Sequence, residues 1–454
     1  MSNLLQELKY VWKIAWPLII TNILNVLVGL VDFKMVGVLG VSSIAAVGMS
    51  RQIMMFLMVL MIAISGGSSI LIAHAFGAED HRKISQIAAR SVILMLAAAI
   101  FIITPIGLFF SKSILIVLGG DEPTVRMGNS YLQVLFAGSI FTMFNFALNG
   151  ILLGVGKTKV SLMLLLVVNV LNIGLNYIFI FGLHVFGMRI IEPFGVTGAA
   201  IGTIAARGVG FFIGLWILKS PRFLISIRFS DGLVFDFELL KKIIKLGGPR
   251  SLQGVTRNFS RLLILRVIAF LPDSTRVISA YSVGMQVKMI SSFIGLAFMS
   301  ASMARVGQNM GAGNIREAEK SGWISSAIAA GIMTIAALFF LLLPEQIMSF
   351  FTDDLEVIAL GRSFFLIVAL TEPIMAFAFA LGGALRGGGD SISPLIYGSI
   401  SDLVVFTLVG YVLAVPLGMG ISGIAIGLAV SSVSRAVPSM IRFKQGKWKK
   451  NRLV

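Results

Sequence analysis

Three carboxylates lie within strongly apolar stretches of this chain: Asp32, Glu372 and Asp402. An ionisable group near the centre of a bilayer is costly, so it is paired, placed in a water-filled cavity, or used. Burial can raise its pKa until it carries a proton, whereas several neighbouring oxygens let it hold sodium. Either route gives a charge that is neutralised in one step of a cycle. On this chemistry Glu372 is expected to couple an ion gradient, with Asp402 assisting and Asp32 acting in the first half of the chain. Pro373 beside Glu372 frees backbone carbonyls that could complete such a site. The alternative is a static buried network in which Glu372 and Asp402 pair with Arg257, Arg261, Arg266 or Lys288. Lys34 points to a different helix face from Asp32 and is expected to snorkel outward. His74, His81 and His184 are scattered and suggest neither a metal site nor a proton relay.

The elements that must position these groups are membrane helices. The chain has 454 residues, is 57% hydrophobic and only 13% charged, with a mean hydropathy of +0.96, too apolar for a water-soluble domain of this size. The predicted fold is an all-α integral membrane protein with twelve transmembrane helices. They are read near 12–38, 44–76, 84–110, 125–153, 158–183 and 196–218, then 243–270, 277–310, 318–343, 357–387, 391–416 and 421–443. The opening residues read as the first of these helices rather than a cleaved leader.

The net charge of +17 fits a multi-pass protein of the cell (inner) membrane that keeps its basic residues on the cytoplasmic side. Lys9, Lys13, Arg82, Lys83, Arg316, Lys320 and Arg386 fall on one side. So do the connector, with Lys219, Arg222, Arg228 and Lys245, and the tail from Arg442 to Arg452. Acids such as Asp121, Asp273, Glu345 and Asp354 fall on the other. Both termini are therefore expected to be cytoplasmic, with the tail against anionic lipid and no nucleic-acid partner. The chain contains no cysteine, which excludes disulfides, thiol catalysis and cysteine-ligated metals.

The chain also repeats itself. "KIAWPLI" at Pro17 faces "KLGGPRS" at Pro249, "AVGM" faces "SVGM", and "AFGAEDHRK" faces "NMGAGNIRE". "NGILLGVGKTKV" faces "GALRGGGDSISP", and "GVTGAAIG" faces "GISGIAIG". Ordered matches of this kind mark a tandem repeat. The division is 1–218 for the first lobe, 219–242 for a cytoplasmic connector, and 243–454 for the second lobe with its basic tail. Six helices return the chain to the same side, so the repeats are parallel, an architecture that works by alternating access. The glycine phrases read as helix-ending turns and close helix packing, with no strand or Walker lysine to make them nucleotide sites. The contrast of Asp390 with Lys157 reads as surface variation. The same register sets Ser139 against Glu372 and Asn169 against Asp402.

"VDFKMVGVLG", "HAFGAED", "QNMGAGN", "NIGLNYIFIFG", "GVTGAAIGT" and "EPIMAFAFALGGALRGGGDS" resemble the multidrug and toxic compound extrusion (MATE) family over essentially the whole chain. The resemblance implies two six-helix lobes forming a V around a central cleft. It also implies export of organic, often cationic or amphiphilic, compounds in exchange for Na+ or H+. The family's helix 1 acid falls on Asp32 and its helix 5 polar pair on Asn172 and Asn176, which with Asp32 form a possible Na+ site. The helix 7 acid of another branch falls near Arg257, a cation, and its helix 10 acid near Met375, about one turn from Glu372.

The expected function is therefore a cation-coupled antiporter, not an enzyme, with no covalent cofactor. It is expected to work as a monomer within the lipid bilayer. Asn172, Asn176, Arg257, Met289 and Ser139 are the candidates to contact substrate. Met54, Met55, Met58 and Met299 are further cleft-lining candidates. The alternative function is a lipid-linked oligosaccharide flippase, in which Arg257, Arg261 and Arg266 receive a pyrophosphate. A membrane-embedded enzyme would need its acids clustered, and only Asp353 and Asp354 offer such a pair.

Overall fold

The computed structural model describes residues 2–186, 188–220, 227–228, 232, 236–451 and 453. Twelve helical segments follow in the predicted order. They are α1 (Ser2–Gly37), α2 (Val41–Gly77), α3 (His81–Val117), α4 (Glu122–Ala137 and Ser139–Gly154), α5 (Thr158–Phe181) and α6 (Gly195–Lys219). Then come α7 (Phe237–Ile268), α8 (Ser274–Gly311), α9 (Ile315–Leu342), α10 (Leu355–Ala369 and Glu372–Gly387), α11 (Ile392–Ala414) and α12 (Gly420–Lys444). A short hairpin, β1 (Leu183–Val185) against β2 (Met188–Ile191), joins α5 to α6.

Among the described residues nine of these helices are long and apolar enough to cross a membrane, or eleven if each bent pair is one span. The twelfth, α7, fails that criterion because Arg250, Arg257, Arg261 and Arg266 interrupt its apolar run. Its charges are therefore the first structural anomaly that needs a reason.

The helix ends follow local chemistry. Asp80 accepts from the Lys83 N–H at 2.9 Å at the start of α3, and this bond holds its carboxyl below the usual value. Asp121 accepts from the Thr124 N–H at the start of α4. Asp354 accepts from the N–H groups of Glu356 and Val357 and pairs with Arg276. Each satisfies donors the first helical turn leaves open. Asp354 of the Asp353–Asp354 pair is thus a helix cap and carries no sign of a catalytic cluster.

The chain divides into two compact units. One comprises Ile20–Phe76 and Asp80–Gly247, here the first unit; the other comprises Met1–Ile19, Gly77–Glu79 and Gly248–Val454, the second unit. The sequence division is crossed at the start, since α1 begins in the second unit. There the buried carboxylate of Glu7 accepts two bonds of 2.7 Å from Arg305. The connector's Arg222 and the tail's Arg452 lie outside the described residues, as do the side chains of His184 and Arg189.

In hydrocarbon, lipid tails are as apolar as leucine, so helix association depends on close packing and polar contacts. The glycine phrases supply the packing. A Cβ on Gly150 or Gly154 in α4 would lie 2.7 or 2.8 Å from the carbonyl oxygens of Ser65 and Ser69 in α2. Gly383 and Gly387 in α10 press in the same way on the Met299 and Met303 carbonyls of α8. The phrases then end in left-handed turns at Gly156 (φ 74°) and Gly389 (φ 85°), which glycine adopts without strain.

The surface reading of Asp390 is corrected. Asp390 is buried, accepts from the N–H and hydroxyl of Ser393, and pairs with Arg442 at 2.8 Å. The turn after α10 folds it beneath the tail, where Trp448 stacks on Phe443 at 4.8 Å and Lys449 reaches Glu319 at 2.7 Å. Lys157, its counterpart, is exposed.

Candidate functional site

In the first unit, α1 and α5 bring Asp32 and Asn176 together: the Asn176 Nδ2–H donates to Asp32 Oδ1 at 2.8 Å. Asn172, one turn earlier on α5, donates instead to the Thr203 hydroxyl of α6 at 3.1 Å. The Oδ1 atoms of Asn172 and Asn176 are buried and receive no hydrogen bond. Among the described residues no lysine, arginine or histidine lies within ion-pair distance of Asp32. Arg207 instead donates to the Thr142 hydroxyl at 2.9 Å. One carboxylate and two unpartnered amide oxygens make a donor set suited to a hard cation or a proton. Ser139 does not join them, since its hydroxyl shares a bond with that of Thr104 at 3.1 Å.

The second unit is built with the opposite sign. Glu372 is fully buried at the start of the second half of α10, where its carboxylate pairs with Lys288 of α8 and accepts from the Ser291 hydroxyl at 2.8 Å. Asp402 of α11 is paired with Arg435 of α12, and the Arg257 Nε of α7 stands 3.9 Å away. Glu372 and Asp402, two of the three acids expected to couple, therefore each face a cation, in the geometry of the buried-network alternative. An α-to-π change over Ile400–Phe406 presents Asp402 in this way. The same turn points the Asp402 backbone carbonyl at the Ser260 hydroxyl. Helix α5, which carries the equivalent Asn169, is regular throughout.

Beside these pairs lies a cavity of about 100 Å³ whose lining includes Arg257, Arg261, Lys288, Asp402 and Arg435. Apolar residues, among them Met289, Phe293 and Leu296, complete its lining. The Phe379 ring has two guanidinium groups over it, that of Arg257 at 5.6 Å and that of Arg435 at 5.5 Å, distances at which the ring attracts them. An adjoining pocket adds Arg386, which donates to Gln253 at 2.6 Å and to the Met299 sulfur at 3.1 Å.

Several expectations change here. Arg386, placed on the cytoplasmic side by its charge, is 2% exposed, where Gly383 and Gly387 bring the end of α10 close to α8. Arg266 leaves the row of α7 arginines and packs over Phe270 at 5.0 Å. Met289 lines the cavity, whereas Met55 and Met58 are exposed. Sequence reasoning missed Arg435 and Arg207. The signal was available, since an arginine inside "SSVSRAVPSM" or "GTIAARGVG" is as costly in a membrane as an acid.

Comparison with known proteins agrees with the fold and the duplication. The MatE family model matches residues 17–178 and again 249–418. The probable multidrug resistance protein NorM of Thermotoga maritima is 26% identical over 452 residues, covering 98% of this chain and 94% of that one. Among solved structures, an outward-facing multidrug resistance MATE family transporter of the MOP superfamily superposes with a TM-score of 0.88 at 24% identity. That match covers 98% of this chain and 97% of the other. A MOP superfamily transporter from Pyrococcus furiosus, described as having a binding pocket of reverse polarity, superposes with a TM-score of 0.87 at 24% identity over the same shares. At that identity both structures speak for the fold alone. With both halves matched, a multi-pass membrane architecture and no enzyme signature in the match, the chain belongs to the MatE family of membrane transporters.

Proposed function

We propose that the protein is a cation-coupled antiporter that exports amphiphilic small molecules by alternating access of its two repeats. Asp32 is the coupling acid in this reading. The observation that carries it is the contrast between the three intramembrane acids. Glu372 and Asp402 each have a cation in ion-pair contact, whereas among the described residues Asp32 has none: it accepts from the Asn176 amide, and Arg207 and Arg51 act on it only from beyond ion-pair distance. A carboxylate without a fixed counter-ion can exchange its charge with a proton or a sodium ion during a cycle; one held by lysine or arginine stays ionised. Sodium would rest on Asp32 with the free Oδ1 atoms of Asn172 and Asn176, and a proton on Asp32 alone. The names of the relatives support drug-like substrates. In this reading the protein acts as a monomer with both termini in the cytoplasm.

A second reading, a flippase for lipid-linked oligosaccharide, is favoured by one observation: the guanidinium groups of Arg257, Arg261 and Arg435 around the second unit's cavity.

Purified protein in proteoliposomes, given an imposed proton or sodium gradient and a fluorescent amphiphile, tests the coupling. Asp32→Asn is expected to abolish gradient-driven transport while its thermal unfolding stays near wild type. Collapse of one gradient but not the other names the ion. Full gradient-driven transport by Asp32→Asn rejects Asp32 as the coupling acid.

A further inference from the structure

We propose that the cavity of the second unit is a receptor for an anionic head group, a carboxylate or phosphate carried on an apolar tail, and that it selects the substrate by that charge. The inference rests on the transporter reading and deepens it.

The charges around the cavity do not balance. Arg257, Arg261, Lys288 and Arg435 line it with one carboxylate, Asp402; Arg386 lines the adjoining pocket, and Glu372 is fully buried against Lys288. Lys288 takes Glu372 and Arg435 takes Asp402. Among the described residues Arg261 and Arg386 have no ion pair, and Arg257 has only the 3.9 Å approach to a carboxylate already held by Arg435. Of these surplus cations Arg386 is 2% exposed, whereas Arg257 and Arg261 are half-buried where they line the cavity.

The donors are unfinished as well. The Nε–H groups of Arg257, Arg386 and Arg435 are buried and bond to nothing. An unmade bond from a buried guanidinium is expensive to keep. It is understandable where an arriving anion makes it, because a guanidinium fork matches two oxygens of a carboxylate or phosphate. Arg257 and Arg435 both lie over the Phe379 ring and both approach Asp402, which the π turn of α11 carries to the cavity. A volume of about 100 Å³ suits a head group and not a whole drug-sized molecule, for which pockets begin near roughly 300 Å³. The tail would lie along Met285, Met289, Phe293 and Leu296, an adaptable apolar wall.

The test is equilibrium binding to the full-length protein in nanodiscs of zwitterionic lipid, read by the fluorescence of a dansyl-labelled fatty acid and compared with its uncharged methyl ester. The acid is expected to bind about tenfold or more tightly than the ester, and Arg257→Gln is expected to remove that preference. Arg257→Lys, which keeps the charge but not the fork, should fall between them. Arg261→Gln, at a cation with no ion pair among the described residues, repeats the test should Arg257→Gln unfold. Competition by a soluble carboxylate assigns the head group to free organic anions, whereas competition by phosphatidylglycerol alone assigns it to lipid; either supports the proposal. Equal affinity for acid and ester, or an unchanged preference in both glutamine variants, overturns it. No gradient is applied, so failure here with intact gradient-driven transport rejects the receptor and leaves the coupling reading standing.

Discussion

The two halves of the molecule bend alike and are charged unlike. Helix α4 breaks by 52° at Gly138 and α10 by 50° just before Glu372, and these breaks fall at corresponding points of the repeat. Ser139 and Glu372 therefore occupy equivalent kinks, yet one shares a bond with a threonine while the other is ion-paired with a lysine. In helices α5 and α11 the equivalent residues are Asn169 in a regular helix and Asp402 in a π turn. The comparison teaches that duplication has kept the backbone architecture and left the side chains at its break points free to take separate duties. The first unit has a carboxylate among amides, and the second has guanidinium groups in excess of carboxylates.

The strongest way to break this comparison is to remove the buried cation at one kink. Lys288→Met leaves the buried Glu372 carboxyl without its counter-charge and is expected to cost about 3–5 kcal/mol, seen as a large fall in the thermal unfolding midpoint. Adding Glu372→Gln should restore most of it. Ser139→Ala at the equivalent kink should cost only about 1 kcal/mol, the loss of a neutral hydrogen bond. Equal effects at the two positions would show that the kinks are chemically as alike as they are geometrically.

The shared backbone predicts the reverse pattern one step along the same helices. Gly150→Ala and Gly383→Ala each force a methyl group against a carbonyl of the neighbouring helix. Both are expected to destabilise by about 1–3 kcal/mol, the usual cost of overpacking. A neutral result at either position would mean that the two helix crossings are not equivalent. A smaller contrast lies in the following turns. Asp390→Ala should cost about 1 kcal/mol by removing the cap on Ser393 and the partner of Arg442, and Lys157→Ala should leave the unfolding midpoint unchanged.

Much of the fold was legible because membrane helices announce themselves by length and composition, and because the repeat set a register that the two bends obey. The glycine phrases were legible too: the residues that pack and the residues that turn are the ones the spacing marked. The family resemblance pointed to Asp32, Asn172 and Asn176, and α1 and α5 join Asp32 to Asn176 while Asn172 turns to Thr203; the partners of Glu372 and Asp402 come from α8, α7 and α12. No local pattern says that a lysine in "GMQVKMISS" faces a glutamate on another helix. Arg386 was legible only as a charge on the cytoplasmic side; its burial comes from the packing of Gly383 and Gly387 on the Met299 and Met303 carbonyls of α8.

The central claim is that the acid of the first unit couples and the cations of the second unit bind. The most direct measurement is the affinity of the dansyl-labelled fatty acid for Asp32→Asn beside that for Arg257→Gln, without any gradient. The account predicts wild-type affinity in Asp32→Asn and about tenfold weaker binding in Arg257→Gln. Equal weakening in both variants, or weakening in Asp32→Asn alone, would contradict it.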